Sequence, residues 1–339
     1  MARVGIYGAT GYTGFELIKL LVRHPEVEIA FATARSAAGQ RLSDVFPTML
    51  DTPLVAVEAA DLHAVDLIFT CLPHGTSELI PLVQTALEAG KRVIDFSDTF
   101  RLTDPDDYAR RRGKPHPAPE LQSAAVYGLP ELHRAQIRQA HLVANTGCYP
   151  LSAILPLWPL EQAGLIADRT VIVDSKSGVS GAGRSLGMKT HFGETHETFS
   201  AYSVGRTHRH LGEMEQETGL HIIFSPHLLP VYRGILSTIY VTLQPGTTLA
   251  QARAAYTVFA DEPFLKLLPE GRLPELRHVQ QTMFLALGLQ PVEIDVGRYI
   301  IVAALDNLLK GASGQAVQNM NLMLGFPETL GLEQVALFP

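Results

Sequence analysis

Short apolar runs alternate with helical patterns through roughly the first 150 residues, and this alternation restricts the fold more than any other feature of the chain. A short apolar run that ends in turn residues is typical of a buried strand. Between the first two runs, Phe15–Arg23 places its apolar side chains largely along one helical face. Strands that alternate with helices predict right-handed crossovers and a parallel sheet covered on both faces. The strand-like runs are Val4–Tyr7, Glu28–Thr33, Asp66–Cys71, Lys91–Phe96 and His141–Ala144.

The pattern changes after Cys148, where β-rich runs are separated by longer loops that contain many Gly, Ser and His residues. A mixed α+β domain explains this pattern better than further doubly wound sheet. The segment 306–325 resembles a helix that can return to the first domain. The predicted fold class is therefore α/β, with a doubly wound Rossmann-type domain over residues 1–147, completed by 306–339, and a mixed α+β domain over 148–305. The β-rich runs are Arg169–Asp174, Leu220–Phe224 and Leu236–Leu243.

Composition excludes several classes of function. The chain has 339 residues, with 27 Lys and Arg against 34 Asp and Glu, and its net charge of −7 argues against nucleic acid or a membrane surface as a partner. Two cysteines are too few for a disulfide framework or a four-sulfur zinc site. The first residues enter a strand-like run without a signal-peptide pattern, and no apolar run is long enough to span a bilayer, so we expect a cytoplasmic protein.

A glycine-rich turn lies between the first strand-like run and the first helical run. Glycine allows such a turn to bend sharply, to approach a pyrophosphate and to pack the helix against the sheet, while the helix N-terminus faces the anion. The G-x-x-G-x-x-G spacing differs from the common fingerprint, and a simple strand-to-helix turn is the alternative. We expect cofactor contacts from the residues of this turn: Gly8, Thr10, Gly11, Tyr12, Thr13 and Gly14.

The second strand-like run carries no acidic residue at its end, where an NAD enzyme would bind the ribose 2′-hydroxyl. Thr33, Arg35 and Ser36 stand there instead, and a cation with hydroxyls suits a 2′-phosphate, which favours NADP(H). A later run ends in Cys71-Leu72-Pro73, at the sheet edge where ligands of open α/β sheets bind. We interpret Cys71 as a half-buried residue beside the cofactor rather than as a nucleophile.

Cys148 is the candidate nucleophile. It follows a strand-like run and precedes an apolar helical pattern, with Pro150 suited to the first helical turn. The partial positive charge of a helix N-terminus favours the thiolate form that a nucleophilic cysteine needs. The alternative is a small buried hydrophobic residue without a chemical role.

A pair of histidines, His208 and His210, forms the second reactive group. On an extended segment these alternate residues share one face, so both can point into one cleft. One interpretation is an acid/base histidine that serves Cys148. The others are two solvated loop histidines, or a metal pair completed by Glu194, His196 or Glu213, although no familiar zinc motif accompanies them.

Further polar residues are candidates for the cofactor and substrate. A loop rich in glycine and hydroxyl groups follows Asp174 and can approach a nicotinamide or a phosphate. The alternative for this loop is a flexible surface segment, and for Arg101 an ordinary surface arginine. The expected cofactor contacts from the loop are Ser177, Gly178, Ser180 and Gly181, and the expected substrate contacts are Arg101, Asn145, Arg184 and Glu213.

Motifs spread over nearly the whole chain together resemble the N-acetyl-gamma-glutamyl-phosphate reductase family, which is related to the aspartate-semialdehyde dehydrogenases. The resemblance implies Cys148 as nucleophile, His210 as acid/base residue with His208 nearby, and Asn307 on the cofactor side. The motifs, all in family order, are Gly8–Gly14, Val93–Leu102, Val126–Glu131, Gly147–Pro150, Ser177–Arg184, His208–His210, Asp306–Ala312 and Gln318–Asn321.

The resemblance also implies a reaction: reduction of N-acetyl-L-glutamyl 5-phosphate by NADPH through a cysteine thioester, in arginine biosynthesis, by a homodimer or homotetramer. Thr146, Leu151 and Leu211-Gly212 depart from the family pattern at positions that flank the site. A similar branch reduces an aminoadipyl phosphate in lysine biosynthesis and stays an alternative, as does a phosphorylating dehydrogenase of another semialdehyde. An NADP-binding redox sensor and a zinc hydrolase are the alternatives from other classes.

Overall fold

The computed structural model describes residues 1–292 and 297–336. These form two compact units, one made of residues 1–146 with 312–333, the other of 147–311 with the described residues from Gln334 onward. The sequence placed the return to the first domain at residue 306, whereas the contacts place it at Ala312.

Strands and helices are numbered along the chain. The strands are β1 Ala2–Tyr7, β2 Val27–Thr33, β3 Leu54–Val55, β4 Leu67–Thr70, β5 Arg92–Asp95, β6 Val126–Gly128, β7 Leu142–Asn145, β8 Thr170–Gly178, β9 Ser200–Ala201, β10 His221–Leu229, β11 Ile235–Thr242, β12 Leu265–Leu267, β13 Leu285–Pro291 and β14 Arg298–Leu305. The α-helices are α1 Tyr12–Leu21, α2 Leu42–Val45, α3 Leu79–Glu88, α4 Pro105–Arg112, α5 Pro119–Ala124, α6 Pro130–Gln139, α7 Cys148–Gln162, α8 Phe192–Thr195, α9 Leu211–Thr218, α10 Leu249–Ala254 and α11 Gly314–Leu324, the last preceded by a π-helical turn, Leu309–Ser313.

The first unit is a parallel sheet with the strand order β3-β2-β1-β4-β5-β7-β6. The central strand β4 is fully buried and β5 is buried from Val93 to Asp95, as the alternating pattern predicted for a parallel sheet with helices on both faces. The strand order reverses between β1 and β4, and the crevice outside the carboxyl ends of such strands is where open α/β sheets bind ligands. The turn after β1 and the loop after β4 therefore flank the predicted cofactor position.

Helix α11 completes the first unit through buried polar contacts. The Ser313 hydroxyl donates to the carbonyl of Thr13 at 2.8 Å, which ties the start of α11 to the glycine-rich turn. His24 Nε2 and Asn321 Oδ1 are 3.0 Å apart in the same interior. These contacts fix the returning segment against α1 although about 300 residues separate the two in sequence.

The second unit is a mixed sheet with the strand order β12-β13-β14-β11-β8-β10-β9. β8 pairs with β10 in parallel and with β11 in antiparallel orientation, and β11 and β14 are antiparallel. Helix α7 is buried almost all around, as expected of a helix that lies inside a domain rather than on its surface. Together the two sheets confirm the predicted fold class.

One face of the second sheet stays partly open. Buried and more exposed residues alternate along β8, β10 and β11, the pattern of a sheet with one covered face. Ile223, Ile172, Tyr240 and Ile300 are register partners across β10, β8, β11 and β14, so they form one lateral row. In the described residues, no helix combines the length and apolarity needed to cross a membrane.

Candidate active site

The glycine-rich turn of the first unit is packed too closely for side chains at two of its glycines. Gly8 has a φ of +88°, and a Cβ there would lie 2.5 Å from the carbonyl oxygen of Cys71. A Cβ at Gly14 would lie 2.4 Å from the carbonyl oxygen of Gly8. Gly11 differs, since a Cβ there would meet only one atom within 4 Å, so the turn has open space in front of it.

Gly11 is also the N-cap of α1, and no side chain of the described residues caps that helix. Its first backbone N–H groups and its positive dipole end therefore face the open space beside Gly11. This is the geometry that a pyrophosphate requires, so the turn fits a dinucleotide. Thr10, Tyr12 and Thr13 are half-buried around it.

The residues after β2 are placed differently from one another. Thr33 is buried, and its hydroxyl oxygen accepts the backbone N–H of Gly8 at 3.3 Å, so this side chain shapes the glycine-rich turn. Arg35 and Ser36 are exposed. The Arg35 guanidinium forms an ion pair with Glu78, which stands just before α3. A phosphate bound by Arg35 would compete with this carboxylate.

Cys71 has the surroundings of an unreactive thiol. Burial raises the pKa of Cys71, and the nearby charge of Asp95 adds to the shift. A thiol that stays protonated is a poor nucleophile. Of its neighbours, Leu72 is half-buried and Pro73 is exposed at the same sheet edge.

The two predicted substrate contacts in the first unit, Asn145 and Arg101, form hydrogen bonds with other residues of that unit. Asn145 is buried, its amide nitrogen donates to the carbonyl of Ala312 at 3.1 Å, and its amide oxygen accepts from Asn319 at 3.0 Å. Arg101 is also buried, and its guanidinium donates to the carbonyl of Phe96 at 2.8 Å. These bonds give both side chains a structural role in the first unit, and their contact with substrate stays a prediction.

Cys148 is the first residue of α7, a helix of 15 residues that follows directly after Gly147 as N-cap. Pro150 occupies the first turn, where its missing N–H costs no helical hydrogen bond. Cys148 is half-buried, and the positive end of the helix dipole lies at its position, as predicted. Gly311 packs against it so closely that a Cβ at Gly311 would lie 2.8 Å from the Cβ of Cys148.

Glu213 connects the cysteine turn to α9. It is buried, and its Oε2 accepts the backbone N–H of Gly147 at 3.1 Å. His210 is the N-cap of the same helix, three residues before Glu213. The carboxylate therefore holds the segment that carries the cysteine next to the segment that carries the histidine. Glu213 was expected to contact substrate, and this backbone bond is a role that the sequence did not indicate.

The structure brings His208 and His210 together, but not on an extended segment. The chain turns before α9, and His210 has helical dihedral angles, so the predicted alternation along a strand is wrong. The two imidazole centroids lie 4.9 Å apart, and the backbone N–H of His210 donates to Nδ1 of His208 at 3.1 Å. His210 is buried and His208 half-buried, so His210 does not fit the interpretation of two solvated histidines.

Tyr149, the residue after the cysteine, packs its ring edge-to-face against both histidines. The centroid distances are 5.5 Å to His208 and 6.1 Å to His210. Burial, followed by the neighbouring Tyr202, raises the pKa of Tyr149, so its hydroxyl stays protonated. Tyr149 and Gly311, which contact the histidines and Cys148, were not among the candidates from sequence, although both lie in the motifs Gly147–Pro150 and Asp306–Ala312.

Asn307 braces the loops of the second unit. Its amide oxygen accepts from the backbone N–H of Gly234 at 2.6 Å, and its nitrogen donates to the Ser180 hydroxyl at 3.0 Å. Ser177 and Gly178 are buried where β8 ends, with the backbone of Tyr232 close to Gly178. Gly181 and Arg184 lie farther along the same loop and are exposed.

The described residues contain no group of three His, Cys, Asp or Glu side chains arranged to hold a metal ion. Glu213, one of the possible third ligands, is directed at the backbone of Gly147 instead. The other two, Glu194 and His196, lie in the exposed segment around α8.

Comparisons with known proteins agree with this fold. Residues 3–140 match a family model described as the NAD binding domain of semialdehyde dehydrogenase, and residues 148–307 match one described as its dimerisation domain. The fold resembles aspartate semialdehyde dehydrogenase II from Vibrio cholerae, with a TM-score of 0.74 at 18% identity over 96% of this chain and 98% of the other. It also resembles the NADP-bound aspartate semialdehyde dehydrogenase from Candida albicans, with a TM-score of 0.68 at 16% identity over 96% and 98% of the two chains.

Curated relatives are more similar in sequence. A protein of Rhodospirillum rubrum named N-acetyl-gamma-glutamyl-phosphate reductase is 49% identical over 99% of this chain and 98% of its own. One of the same name from Citrifermentans bemidjiense is 47% identical over 100% of both chains. The chain is therefore an oxidoreductase with a nicotinamide-binding domain, and it belongs to the N-acetyl-gamma-glutamyl-phosphate reductase family of semialdehyde dehydrogenases.

Proposed function

We propose that the protein reduces N-acetyl-L-glutamyl 5-phosphate with NADPH to N-acetyl-L-glutamate 5-semialdehyde and phosphate, in arginine biosynthesis, through a thioester on Cys148. The observation that carries the proposal is a half-buried cysteine at the start of a long helix, next to a residue whose ring contacts two histidines. The names of relatives that are 45–49% identical support the substrate. Two free cysteines are in keeping with a cytoplasmic enzyme.

Each residue of the site has a task in this scheme. His210 takes the thiol proton as the sulfur of Cys148 attacks the acyl carbon, and the bond from that carbon to the phosphate oxygen breaks. The phosphate takes up one proton from solvent. Backbone N–H groups at the start of α7 stabilise the oxyanion that forms in the attack. His208 supports His210 through the bond between its ring nitrogen and the His210 backbone.

When bound, the nicotinamide cofactor supplies the hydride that reduces the thioester carbonyl. The carbon–sulfur bond then breaks, the aldehyde forms, and His210 returns its proton to the sulfur. The thioester matters because it accepts hydride more readily than a carboxylate and stays attached to the protein. We assign cofactor binding to the first unit, with the glycine-rich turn at the pyrophosphate. We assign catalysis to the second, in which Asn307 donates to the Ser180 hydroxyl of the loop that follows β8.

We propose NADPH rather than NADH as the cofactor. The support is Arg35, a cation two residues after β2, in a segment Thr33–Ser36 that contains no acidic residue. Arg35→Ala should raise the KM for NADPH by at least about tenfold, since a guanidinium–phosphate bond contributes about 1.5–3 kcal/mol, and should leave the KM for NADH nearly unchanged. Glu78→Gln, which frees Arg35 of its carboxylate, should lower the KM for NADPH. Equal effects of Arg35→Ala on both cofactors would contradict the proposal.

We also propose that two copies of the chain pack through the open face of the second sheet. The apolar row Ile172, Ile223 and Tyr240 is 39–42% exposed, which is unusual for large apolar side chains on a sheet face. The match of residues 148–307 to a dimerisation domain supports an interface formed by this unit. A homodimer, or a homotetramer built from such dimers, would bury this row.

A reverse assay tests the reaction. NADP, inorganic phosphate and the semialdehydes of N-acetylglutamate, aspartate and N-acetyl-aminoadipate are offered in turn, and NADPH formation is measured. We expect the N-acetylglutamate form to give a kcat/KM at least about tenfold above the others, and Cys148→Ser to bind NADP yet lose nearly all turnover. Preference for another semialdehyde would refute the substrate, and full activity of Cys148→Ser would refute the thioester.

A further inference from the structure

The backbone of Tyr149 is fixed to the sheet of the second unit by a chain of hydroxyl groups. The Ser152 hydroxyl donates to the carbonyl of Tyr149 at 2.8 Å. Ser152 and Ser237 are 2.7 Å apart, Ser237 and Ser175 are 2.6 Å apart, and all three serines are fully buried. Because the Ser152 proton is directed at Tyr149, Ser237 donates to Ser152 and Ser175 donates to Ser237. With these donors assigned, each of the three serine hydroxyls has one defined acceptor, and the chain links the first turn of α7 to the sheet.

The side chain of Tyr149 is held just as firmly. It is 3% exposed, and its hydroxyl lies 3.0 Å from the hydroxyl of Tyr202 and 3.4 Å from the carbonyl of His227. The ring meets Phe224 edge-to-face at 5.2 Å. A phenol anchored at both ends gives the site a fixed surface.

The two histidines lie on a segment that is partly exposed to solvent. They occupy the turn before α9, and the residues beside them, Thr207 and Arg209, are exposed. The ring of Tyr149 meets His208 at an interplanar angle of 90° and His210 at 64°. Tyr149, the residue directly after Cys148, therefore contacts both imidazoles with its ring.

We propose that Tyr149 is a positioning residue that holds His208 and His210 in register with the Cys148 turn through contacts of its ring with both imidazoles. This inference rests on the proposed function, in which His210 exchanges a proton with Cys148. The ring does the positioning, and the hydroxyl only anchors the ring. Tyr149 touches no reacting atom in the scheme, so its loss should alter the orientation of the histidines rather than cofactor binding.

Two variants separate the ring from the hydroxyl. Tyr149→Phe keeps the ring, and we expect its kcat in the reverse assay to stay within about fivefold of wild type. Tyr149→Met keeps an apolar side chain without a ring, and we expect kcat to fall by at least about 100-fold, since small misplacements of reacting groups cost about this much. The KM for NADP should stay within twofold in both, and the pH profile of kcat should shift only in the Met variant.

The matched controls are Tyr256→Phe and Tyr256→Met. Tyr256 is also a buried tyrosine of the second unit, and its hydroxyl donates to the carbonyl of Pro156 in α7 at 2.5 Å. These variants should leave kcat and its pH profile unchanged. If Tyr149→Met does not fold, Phe224→Leu removes a ring that packs against both Tyr149 and His208, and the same pH shift should follow at smaller amplitude.

Alkylation of Cys148 by iodoacetamide, followed over pH by mass spectrometry of the labelled peptide, needs no substrate. Its pH midpoint should move in Tyr149→Met and not in Tyr149→Phe. An unchanged midpoint and an unchanged kcat profile in Tyr149→Met would overturn the proposal, as would equal losses in the Phe and Met variants. Failure of the proposed function would instead appear as absence of turnover in the wild-type protein, with the alkylation result unaffected.

Discussion

The two cysteines occupy different surroundings. Burial and the charge of Asp95 raise the pKa of Cys71, which keeps that thiol protonated. Cys148 lies at the positive end of a 15-residue helix and is half-buried. The helix N-terminus was predictable, because Gly147 and Pro150 are typical of such a position. The close approach of Gly311 was not, since it joins residues far apart in the sequence.

Gly311→Ala tests how closely Cys148 must be held. The added methyl would lie 2.8 Å from the Cβ of Cys148, a distance that requires one of the two to move. We expect kcat to fall by at least about tenfold, because displacement of a reacting group by about 1 Å can cost 100-fold. The measurement is kcat beside the rate of iodoacetamide labelling of Cys148.

Gly187→Ala is the matched control. Its added Cβ would meet its nearest neighbour at 3.6 Å, an ordinary contact, and its backbone is extended. Wild-type kcat and labelling rate in Gly311→Ala would show that the cysteine turn tolerates displacement, contrary to the account.

The strands that could be predicted from sequence are those with a clear apolar run. β1, β2, β4, β5 and β7 follow the predicted runs to within a residue or two. β3 and β6 are two and three residues long, too short to make a pattern. β13 and β14 were missed because a near-continuous apolar run fits a buried helix as well as a strand.

The turn that carries His208 and His210 shows where prediction from residue spacing fails. The spacing of His208 and His210 predicted their proximity correctly, but for an incorrect reason, because the chain bends into α9 instead of extending. The bond from the His210 backbone to the His208 ring stabilises the turn locally. The link from Glu213 to Gly147 spans 66 residues, and no local pattern contains it.

An ionic cluster connects three elements of the first unit. Asp98, after β5, pairs with His74, after β4, and with Arg112, at the end of α4. Burial alone would raise the pKa of Asp98, but the hydrogen bond and charge of His74, followed by the charge of Arg112, hold it well below the usual range. A depressed carboxyl pKa stabilises the fold above the unfolded value of about 3.9, and this stabilisation is lost as the pH falls below it.

Asp98→Asn should therefore destabilise the protein at pH 7, by about 1–3 kcal/mol for a buried charged hydrogen bond. The difference from wild type should shrink as the pH falls below about 4, which urea denaturation at several pH values can measure. Asp51→Asn removes a carboxylate from an exposed ion pair with Arg41 and should have little effect at any pH. A deficit of Asp98→Asn that stays constant down to pH 2 would contradict this assignment.

For the whole molecule, the two-unit organisation followed from the change in sequence pattern near Cys148. The open face of the second sheet required the structure, because only strand register shows that Ile172, Ile223 and Tyr240 are neighbours. A row of large apolar side chains across adjacent strands is a surface that self-association would bury.

Ile223→Glu should therefore shift the protein toward a monomer, measured by sedimentation velocity over a range of concentrations. A charge in the centre of an apolar contact is left without a partner, and the loss of affinity should be at least about tenfold. Val258→Glu is the control, since Val258 is an exposed apolar residue outside the sheet. An unchanged sedimentation coefficient in Ile223→Glu would locate the interface elsewhere.

The central claim is that the sulfur of Cys148 becomes acylated by the substrate. The most direct measurement is intact-protein mass spectrometry after brief mixing with N-acetyl-L-glutamyl 5-phosphate in the absence of NADPH, followed by an acid quench. We expect a mass increase of one N-acetylglutamyl group, which digestion of the same sample locates on the Cys148 peptide, and which is lost when NADPH is added and absent in Cys148→Ser. Full turnover without any such adduct, or an adduct on Cys71 alone, would contradict it.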